Sequence, residues 1–399
     1  MTSPFELPLT SPLRPPLLGT LRDFVSNRPV VKPAWQIIQS ILSPASEDYA
    51  YFDFTDASRR FVENTGPTPA ANAGDAAGLV VDSSKQGSKT LREAVAAMPE
   101  KVVNGGFDTG SNWAMTATST ISSGKLHMNA EPSNGNVLQS GNGFVIGRLY
   151  AVTYEVSNYV AGQFRLQIEA SVGPTRTGNG VFTDYLLCNN TNARIFIRSV
   201  STLTCDIDNV SIREVPAHYA SQATNTFKPT VQVSGIKFDG SDDTLSTDWL
   251  ANVGGDNFIM AQVGVQSAFN GFDPFLYGGQ DGVPNRLALG VQYTTGLVRV
   301  SAGQGAAYLG TSDVRGASDV IIGVSVGNSL VDIMVNGAIE KSQAFSGSVY
   351  GGANIIGGLN NNGNTINRWG GSLKRLLLGK KRVSLEDYNK IRAAWLALG

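Results

Sequence analysis

Apolar and polar side chains alternate with period two through two long blocks of this chain, the pattern of strands buried on one face. In the first block, residues 102–215, Tyr150, Val152, Tyr154 and Val156 share a face. Phe164, Leu166, Ile168 and Ala170 share another, with Gln163, Arg165, Gln167 and Glu169 opposite, and Ile195 and Ile197 oppose Arg194, Phe196 and Arg198. In the second block, residues 230–383, Val320, Ile322, Val324 and Val326 line one face. Gly327-Asn328 then reads as a two-residue type II′ hairpin loop, Val331, Ile333 and Val335 follow, and Asn336-Gly337 signals a type I′ loop. Short alternating runs at regular spacing predict β-sandwiches.

Helical signals are few. Residues 88–98 predict one early helix, stopped by Pro99. Ahead of it, alternation over residues 49–54 and the run Gly78-Leu-Val-Val-Asp82 predict short strands. Near the end, Ser384-Leu-Glu-Asp387 resembles a capping box, and Leu385, Tyr388, Ile391, Trp395 and Leu398 form an apolar stripe, which predicts a helix over 385–397. Residues 1–48 hold eight of the 17 prolines, so an extended arm is expected there. Leu7, Leu9, Leu13, Leu17, Leu18 and Leu21 make that arm too apolar for a free tail, and it is expected to lie on another surface. Trp35 to Leu42 adds one short helix or strand.

Composition narrows the classes. A chain of 399 residues suggests two or three domains, and 42% hydrophobic with 16% charged residues supports a sizeable core under a surface of amides and hydroxyls. Gly at 45 and Pro at 17 favour turn-rich β structure. A net charge of −1 leaves no excess of cations to neutralise phosphates, which argues against a general nucleic-acid binder. The apolar runs fall short of the roughly 18 residues that span a bilayer, so no membrane insertion is expected. Met1 to Thr20 has neither a basic n-region nor an apolar h-region, so no secretory signal is expected. Cys188 and Cys205 are too few for a disulfide framework or a four-cysteine zinc site, and read as two free thiols or one disulfide. With only His127 and His218 present, a His-based metal cluster is disfavoured, and a Ser-His-Asp triad would need one of them.

Three stretches resemble a family. Val103-Asn-Gly-Gly-Phe-Asp-Thr-Gly-Ser-Asn-Trp113, closing at Cys205-Asp-Ile-Asp-Asn-Val-Ser-Ile-Arg-Glu-Val215, resembles the carbohydrate-binding-module-type jelly roll of tailed-bacteriophage and prophage virion proteins. Lys237-Phe-Asp-Gly-Ser-Asp-Asp-Thr-Leu-Ser246, with Val383-Ser-Leu-Glu-Asp-Tyr-Asn-Lys-Ile-Arg-Ala-Ala-Trp395, resembles the concanavalin-A-like (laminin-G-like) lectin sandwich of the same proteins. Phe61-Val-Glu-Asn-Thr-Gly-Pro-Thr-Pro69 through Gly78-Leu-Val-Val-Asp-Ser-Ser84 is similar to the lead-in that precedes such lectin domains. The resemblance implies a mainly β chain of two antiparallel β-sandwiches, jelly roll and concanavalin-A-like, with an extended N-terminal arm and a short C-terminal helix. The expected divisions are an anchoring arm at 1–48, the lead-in at 49–101, an inserted jelly roll at 102–215 and the lectin domain at 216–399. In the family the lead-in runs directly into a segment like His218 to Pro229. Residues 50–87 and 217–399 are therefore expected to form one discontinuous domain with the jelly roll inserted at a surface loop.

Candidate chemistry is sparse. Gly323-Val-Ser-Val-Gly327 matches the nucleophile elbow G-x-S-x-G but lies inside an alternating strand, where no helix follows, and reads as chance. The E-x-D-x-(x)-E strand of concanavalin-like glucan hydrolases, which places an acid and a nucleophile about a glycosidic bond, does not occur. Asp239, Asp242 and Asp243 read as turn chemistry or, with hard oxygens clustered in a loop, as a calcium site. Asp206 and Asp208 alternate with apolar neighbours and read as a solvated strand face or as cross-strand pairing. Glycan sites need aromatic platforms and forked donors, and the outward strand face of the jelly roll offers Arg165, Gln167, Arg194, Phe196 and Arg198. Trp113 reads as core; Trp249 and Trp369 flank loops of the lectin block and are glycan candidates or core. Gly370-Gly371 after Arg368 and Trp369 signals a close backbone approach.

The sequence reading is thus a non-enzymatic virion protein of the tail-fibre or spike type, on the surface of a phage or phage-like particle. It would bind host-surface polysaccharide, contact other virion proteins through residues 1–48, and assemble as a homo-oligomer. The alternatives are a decoration or scaffold protein of capsid, tail or baseplate making protein–protein contacts, and a polysaccharide depolymerase. No cofactor is expected beyond calcium.

Overall fold

The computed structural model describes residues 34–42, 49–65, 68–84, 89–190, 194–269, 271–279, 286–302, 306–346, 349, 354–361 and 364–397. Among them the chain is mainly β, arranged as two antiparallel sandwiches with short α-helices.

The jelly roll is built on two strands of 20 residues each, Leu149–Ile168 and Ile195–Glu214, paired antiparallel. A straight strand at ~3.3 Å per residue would hold Tyr154 and Phe164 about 33 Å apart. Their rings instead meet edge-on with centroids at 6.0 Å, so the strand pair is folded over on itself. The bend lies where the register slips between Ser199 and Asp206 and where Asn158 takes φ 50°. Gly180–Leu187 and Lys125–Glu131 pair with one half, Asn136–Gln139 and Ser171–Val172 with the other. Tyr150, Val152, Tyr154, Val156, Phe164, Leu166, Ile168, Ile195 and Ile197 fill the core between the halves. Ala170 lies past the strand end and is exposed, which ends the predicted stripe one position early.

The opening and closing motifs of this unit meet in space. Val210 N–H donates to the Gly105 carbonyl at 2.9 Å, and a Cβ on Gly105 would lie 1.9 Å from Val210 O. The glycine is required by that approach. Phe107 and Trp113 stack beneath it, 5.2 Å apart, and Trp113 Nε1 donates to the Asn104 carbonyl at 3.0 Å, so the tryptophan is core.

The larger sandwich packs an eight-stranded sheet on a nine-stranded one. Gly370–Gly379 is central in the first. One of its edges pairs with Asn257–Val265; the other is shared end to end by Gly235–Asp239 and Tyr49–Asp53. In the second sheet, Leu79–Val81 pairs with Tyr219–Ser221, and Arg60–Phe61 follows outside it. Residues 49–81 thus supply strands to sheets otherwise built from residues 219–379. The core between the sheets holds Ala50, Phe52, Phe54, Val80, Trp249, Ile259, Tyr277, Ile322, Trp369 and Leu376, among others.

Asp82 sits where the chain leaves this sandwich for the jelly roll. Its buried carboxylate accepts from the Tyr51 amide at 3.1 Å, the His218 amide at 2.8 Å and the Ser84 amide and hydroxyl. One side chain therefore ties together the incoming strand, the outgoing segment and the return. Helix Leu91–Ala96 follows, with the Thr90/Glu93 capping box formed; it is shorter than the predicted 88–98. Leu91 packs with Phe61, Leu79, Leu149, Ala151, Val215 and Tyr219 between the two units.

The eight-stranded sheet is covered on its outer face as well. Helix Leu385–Leu396 buries Tyr388, Ile391 and Trp395 there, with Tyr51 stacked on Trp395 at 5.9 Å. Helix Ala34–Leu42 lies beside it and buries Ile38, Ile41 and Leu42 in the same cluster. The short helix or strand expected over 35–42 is a helix, and it is docked on the chain's own sheet by an apolar face at helical spacing, so the extended anchoring arm expected over 1–48 is corrected for 34–42. The rest of that arm, and Leu398 of the terminal stripe, lie outside the described residues. A second correction concerns the first hairpin. Gly327 pairs with Leu330, and Asn328 and Ser329 have φ 50° and 60°, so the loop is Asn328-Ser329 in a type I′ turn rather than Gly327-Asn328 in type II′. Asn336-Gly337 forms the expected type I′ loop between Val335 and Ala338.

Candidate functional site

Cross-strand register on the jelly roll decides which polar residues meet. Arg198 lies opposite Arg165 on one side and Asn136 on the other; Phe196 lies opposite Gln167 and Leu138. Gln167 in turn faces Val172. Residues directly opposite share a face, and the inward face of these strands is taken by Val137, Leu166, Ile168, Ile195 and Ile197. Four adjacent strands therefore present Asn136, Arg198 and Arg165 in one row and Leu138, Phe196, Gln167 and Val172 in the next. Arg165, Gln167, Arg194, Phe196 and Arg198, noted from sequence, are brought together, but Gln167 is 5% exposed and is corrected as a glycan contact. Asn136 and Leu138 were missed, although the alternation of Asn136-Val-Leu-Gln139 carries the same signal.

The charges on this platform are unevenly matched. Arg194 is bound by Glu169 at 2.6 Å and its guanidinium lies over the Phe196 ring at 5.0 Å. That pair is neutral overall and occupies the one carboxylate among these residues. Arg165 Nε donates to Gln167 Oε1 at 3.3 Å, and Arg198 Nη2 donates to Asn134 Oδ1 at 2.9 Å. Both partners are uncharged amides. Arg198 Nε and Asn136 Oδ1 are buried with no hydrogen-bond partner among the described residues. Two like charges face each other across a strand pair without a counter-ion among the described residues, an arrangement that weakens a sheet and attracts an anion.

The other sequence candidates fall elsewhere. Trp249 and Trp369 are each 1% exposed and belong to the core of the larger sandwich. As glycan platforms they are corrected: a ring enclosed between two sheets cannot stack on a sugar. Asp239, Asp242 and Asp243 do come together, with ligand-capable oxygens within 4.8 Å of one another. Asp239 Oδ1 accepts from the amides of Ser241, Asp242 and Asp243 at 2.7, 3.1 and 3.4 Å, and Asp243 Oδ2 accepts from the Asp239 amide at 2.8 Å. Burial raises the Asp239 carboxyl, but those three amides outweigh it and hold it below its ordinary value. Asp243 is pushed up to about 6 by burial and by the charges of Asp239 and Asp242. The turn thus organises itself through its own amides. Oxygens left over on the three carboxylates could still face a hard cation, although calcium takes six to eight ligands.

Neither histidine builds a triad. His127 Nδ1 meets Asp206 at 2.6 Å, but its Nε2 faces the Ser122 carbonyl at 3.1 Å rather than a hydroxyl. Asp206 lies directly opposite His127 in the register and is 9% exposed, so of the two readings of this residue the cross-strand pairing is the one found. His218 Nδ1 meets Asp248 at 3.2 Å, and its Nε2 is buried without a partner among the described residues. Ser325 of the G-x-S-x-G match is buried mid-strand, its hydroxyl accepting from the Val383 amide at 2.8 Å. Cys188 and Cys205 are free and buried; burial, with Asp206 beside it, pushes the Cys205 thiol up to about 12.

A concavity of about 420 Å³ opens at one end of the larger sandwich beside Gly240, with Gln266, Phe269, Phe272, Asn367 and Arg368 in its wall. Phe272 was not signalled by periodicity, because it lies in an irregular loop.

Comparison with known proteins adds neighbours of modest likeness. No protein-family model and no curated protein matches the chain. Among solved structures, it is similar to the CBM40 of Ruminococcus gnavus IT-sialidase bound to α2,3-sialyllactose, at 16% identity and a TM-score of 0.30, over 35% of this chain and 82% of that one. It is similar to the Streptococcus pneumoniae NanB sialidase at 15% identity and a TM-score of 0.26, over 34% of this chain and 23% of that one. It is also similar to the Trypanosoma rangeli sialidase at 16% identity and a TM-score of 0.34, over 47% of this chain and 30% of that one.

Proposed function

We propose that this chain is a non-enzymatic glycan-binding protein whose jelly-roll platform takes an acidic saccharide. The observation that carries the reading is Arg165 directly opposite Arg198, each bonded to an uncharged amide and neither paired with a carboxylate among the described residues. A carboxylate or sulfate on a sugar would complete that pair with forked, charge-assisted hydrogen bonds. Phe196 and Leu138 supply the apolar surface for a ring face beside it, and Asn136 an amide for hydroxyls, while Gln167, buried and bonded to Arg165 and the Glu169 carbonyl, holds the arginine in place. A binding role rather than hydrolysis is supported by the platform's carboxylate, Glu169, being paired with Arg194 and not with a second carboxylate across a bond to be cut.

The test is a glycan array probed with the full chain at low and high salt. Carboxylated or sulfated glycans are expected to bind, and to lose binding as salt approaches about 1 M, where the Debye length falls to ~3 Å. Binding confined to neutral glycans, or insensitive to salt, would refute the platform.

We extend the reading to a surface adhesin of a phage-like particle, assembled as a homo-oligomer. The motif resemblances and their order support this extension. Attachment through the arm would use residues 1–33, since 34–42 are docked on the chain's own fold. Recovery of the full chain with purified particles, and its loss on removing residues 1–33, is the expected result. Equal recovery of the shortened chain would favour a scaffold protein held by its sandwiches.

A further inference from the structure

We propose that the loop end of the larger sandwich is a second saccharide site, shaped for a neutral chain of several sugar units. It stands on different residues from the jelly-roll platform and does not depend on it.

The loops that follow Gly235–Asp239 and Asn257–Val265 meet there with those that precede Phe275–Gly278 and Gly370–Gly379. The cleft between them, about 420 Å³, is of the size that takes small ligands, ~300–1,000 Å³. Two aromatic rings define it. Phe269 is anchored on the main core, while Phe272 is 69% exposed at the mouth. A single exposed ring is ordinary; a ring facing a cleft whose walls carry planar polar groups beside Pro274 and Ile366 is a stacking surface. Gln266, Asn367 and Arg368 provide those groups. The Asn367 carbonyl accepts from the Phe275 amide at 2.8 Å and Arg368 bridges to Phe275, so their loop is fixed to the sheet. Arg368 Nε is buried with no hydrogen-bond partner among the described residues.

Gln266 stands between this cleft and another. That residue also borders a second hollow of about 450 Å³, lined in part by Gly264, Gly370 and Gly371. A Cβ on Gly371 would lie 2.3 Å from the Gly264 carbonyl, and one on Gly370 would lie 2.0 Å from Gln266 Oε1. Side chains are therefore excluded where the strands approach most closely. The two hollows adjoin across Gln266, with Ser318 in the wall of the second, an arrangement that suits a ligand of more than one sugar unit.

Charge selects the class. Asp239 borders the groove with Asp242 and Asp243 in the same turn, and Lys237 and Arg368 stand against them. Opposite charges are interspersed here, in contrast to the unmatched arginines of the platform. Such a groove offers hydrogen bonds to hydroxyls and disfavours a strongly anionic ligand beside Asp239.

The experiment uses the full chain, with saturation-transfer NMR and calorimetry on neutral gluco-, manno- and galacto-oligosaccharides as dimers and hexamers, and a hexuronate hexamer for comparison. At least one neutral series is expected to bind, the hexamer more tightly than the dimer. Phe272→Ala should weaken it roughly tenfold or more, the scale of an aromatic hot spot. Arg165→Gln should leave it unchanged. Ser318→Trp, which fills the hollow, should abolish the hexamer's advantage and spare the dimer. Absence of binding by every neutral series, wild-type binding by Phe272→Ala, or loss with Arg165→Gln would each overturn the proposal. The last would place neutral sugars on the platform instead.

Discussion

Replacing Arg165 with glutamine separates a binding role from a structural one, because the two predict opposite signs. The substitution keeps a planar amide and removes a charge. Opposed like charges on a strand pair destabilise by about 0.2–1 kcal/mol relative to neutral pairs, and only one long hydrogen bond, 3.3 Å from Nε to Gln167, is lost. Stability should hold or rise, and at roughly 2–8 °C per kcal/mol the melting temperature should move up by no more than a few degrees. Binding should move the other way. A hydrogen bond to a charged group contributes about 1.5–3 kcal/mol, which at ~1.4 kcal/mol per tenfold is roughly a 10–150-fold loss of affinity. Calorimetric titration with a hexuronate oligosaccharide reads the second quantity and thermal unfolding the first. An Arg165→Gln protein that binds within about twofold of wild type, or that binds weakly only because its melting temperature has fallen, would refute the reasoning.

Other outcomes follow from groups inside the fold. Asp82→Ala leaves the amides of Tyr51, Ser84 and His218 unsatisfied and should cost about 2–4 kcal/mol, read as a lower denaturation midpoint; a midpoint within error of wild type would contradict the junction role. Asp243, raised to about 6 from an ordinary value of 3.8, favours its protonated form in the folded state. Its contribution is therefore fully present below about pH 4 and lost as pH rises through about 6, and Asp243→Asn should flatten that part of the stability–pH curve. The free, buried thiols of Cys188 and Cys205 should resist a thiol reagent in the native protein and react once it is unfolded in guanidinium; prompt native labelling would show that this region opens.

Much of this molecule was legible in local pattern. Alternation placed Tyr150, Val152, Tyr154 and Val156, and Val320, Ile322, Val324 and Val326, on buried faces, because a period of two leaves a strand one choice of register with respect to water. Asn-Gly marked one hairpin and a Ser-capped apolar stripe marked the last helix. The first hairpin was misplaced by one residue because Gly327 accepts the strand conformation as readily as the turn, and the adjoining Asn328-Ser329 satisfied the twist instead. Trp249 and Trp369 could not be separated from surface rings by sequence, since the sheet that covers them comes from distant segments.

What the amino-acid order determined alone was which residues face outward on each strand. That Arg165 stands against Arg198, with Phe196 between Leu138 and Gln167, was decided by the register of strands separated by tens of residues. The same holds for Asp82 joining positions 51 and 218, and for the groove beside Gln266. The physical reason is that side-chain direction is a property of the local backbone, whereas the neighbours a side chain meets are set by long-range pairing, and a site is made of neighbours.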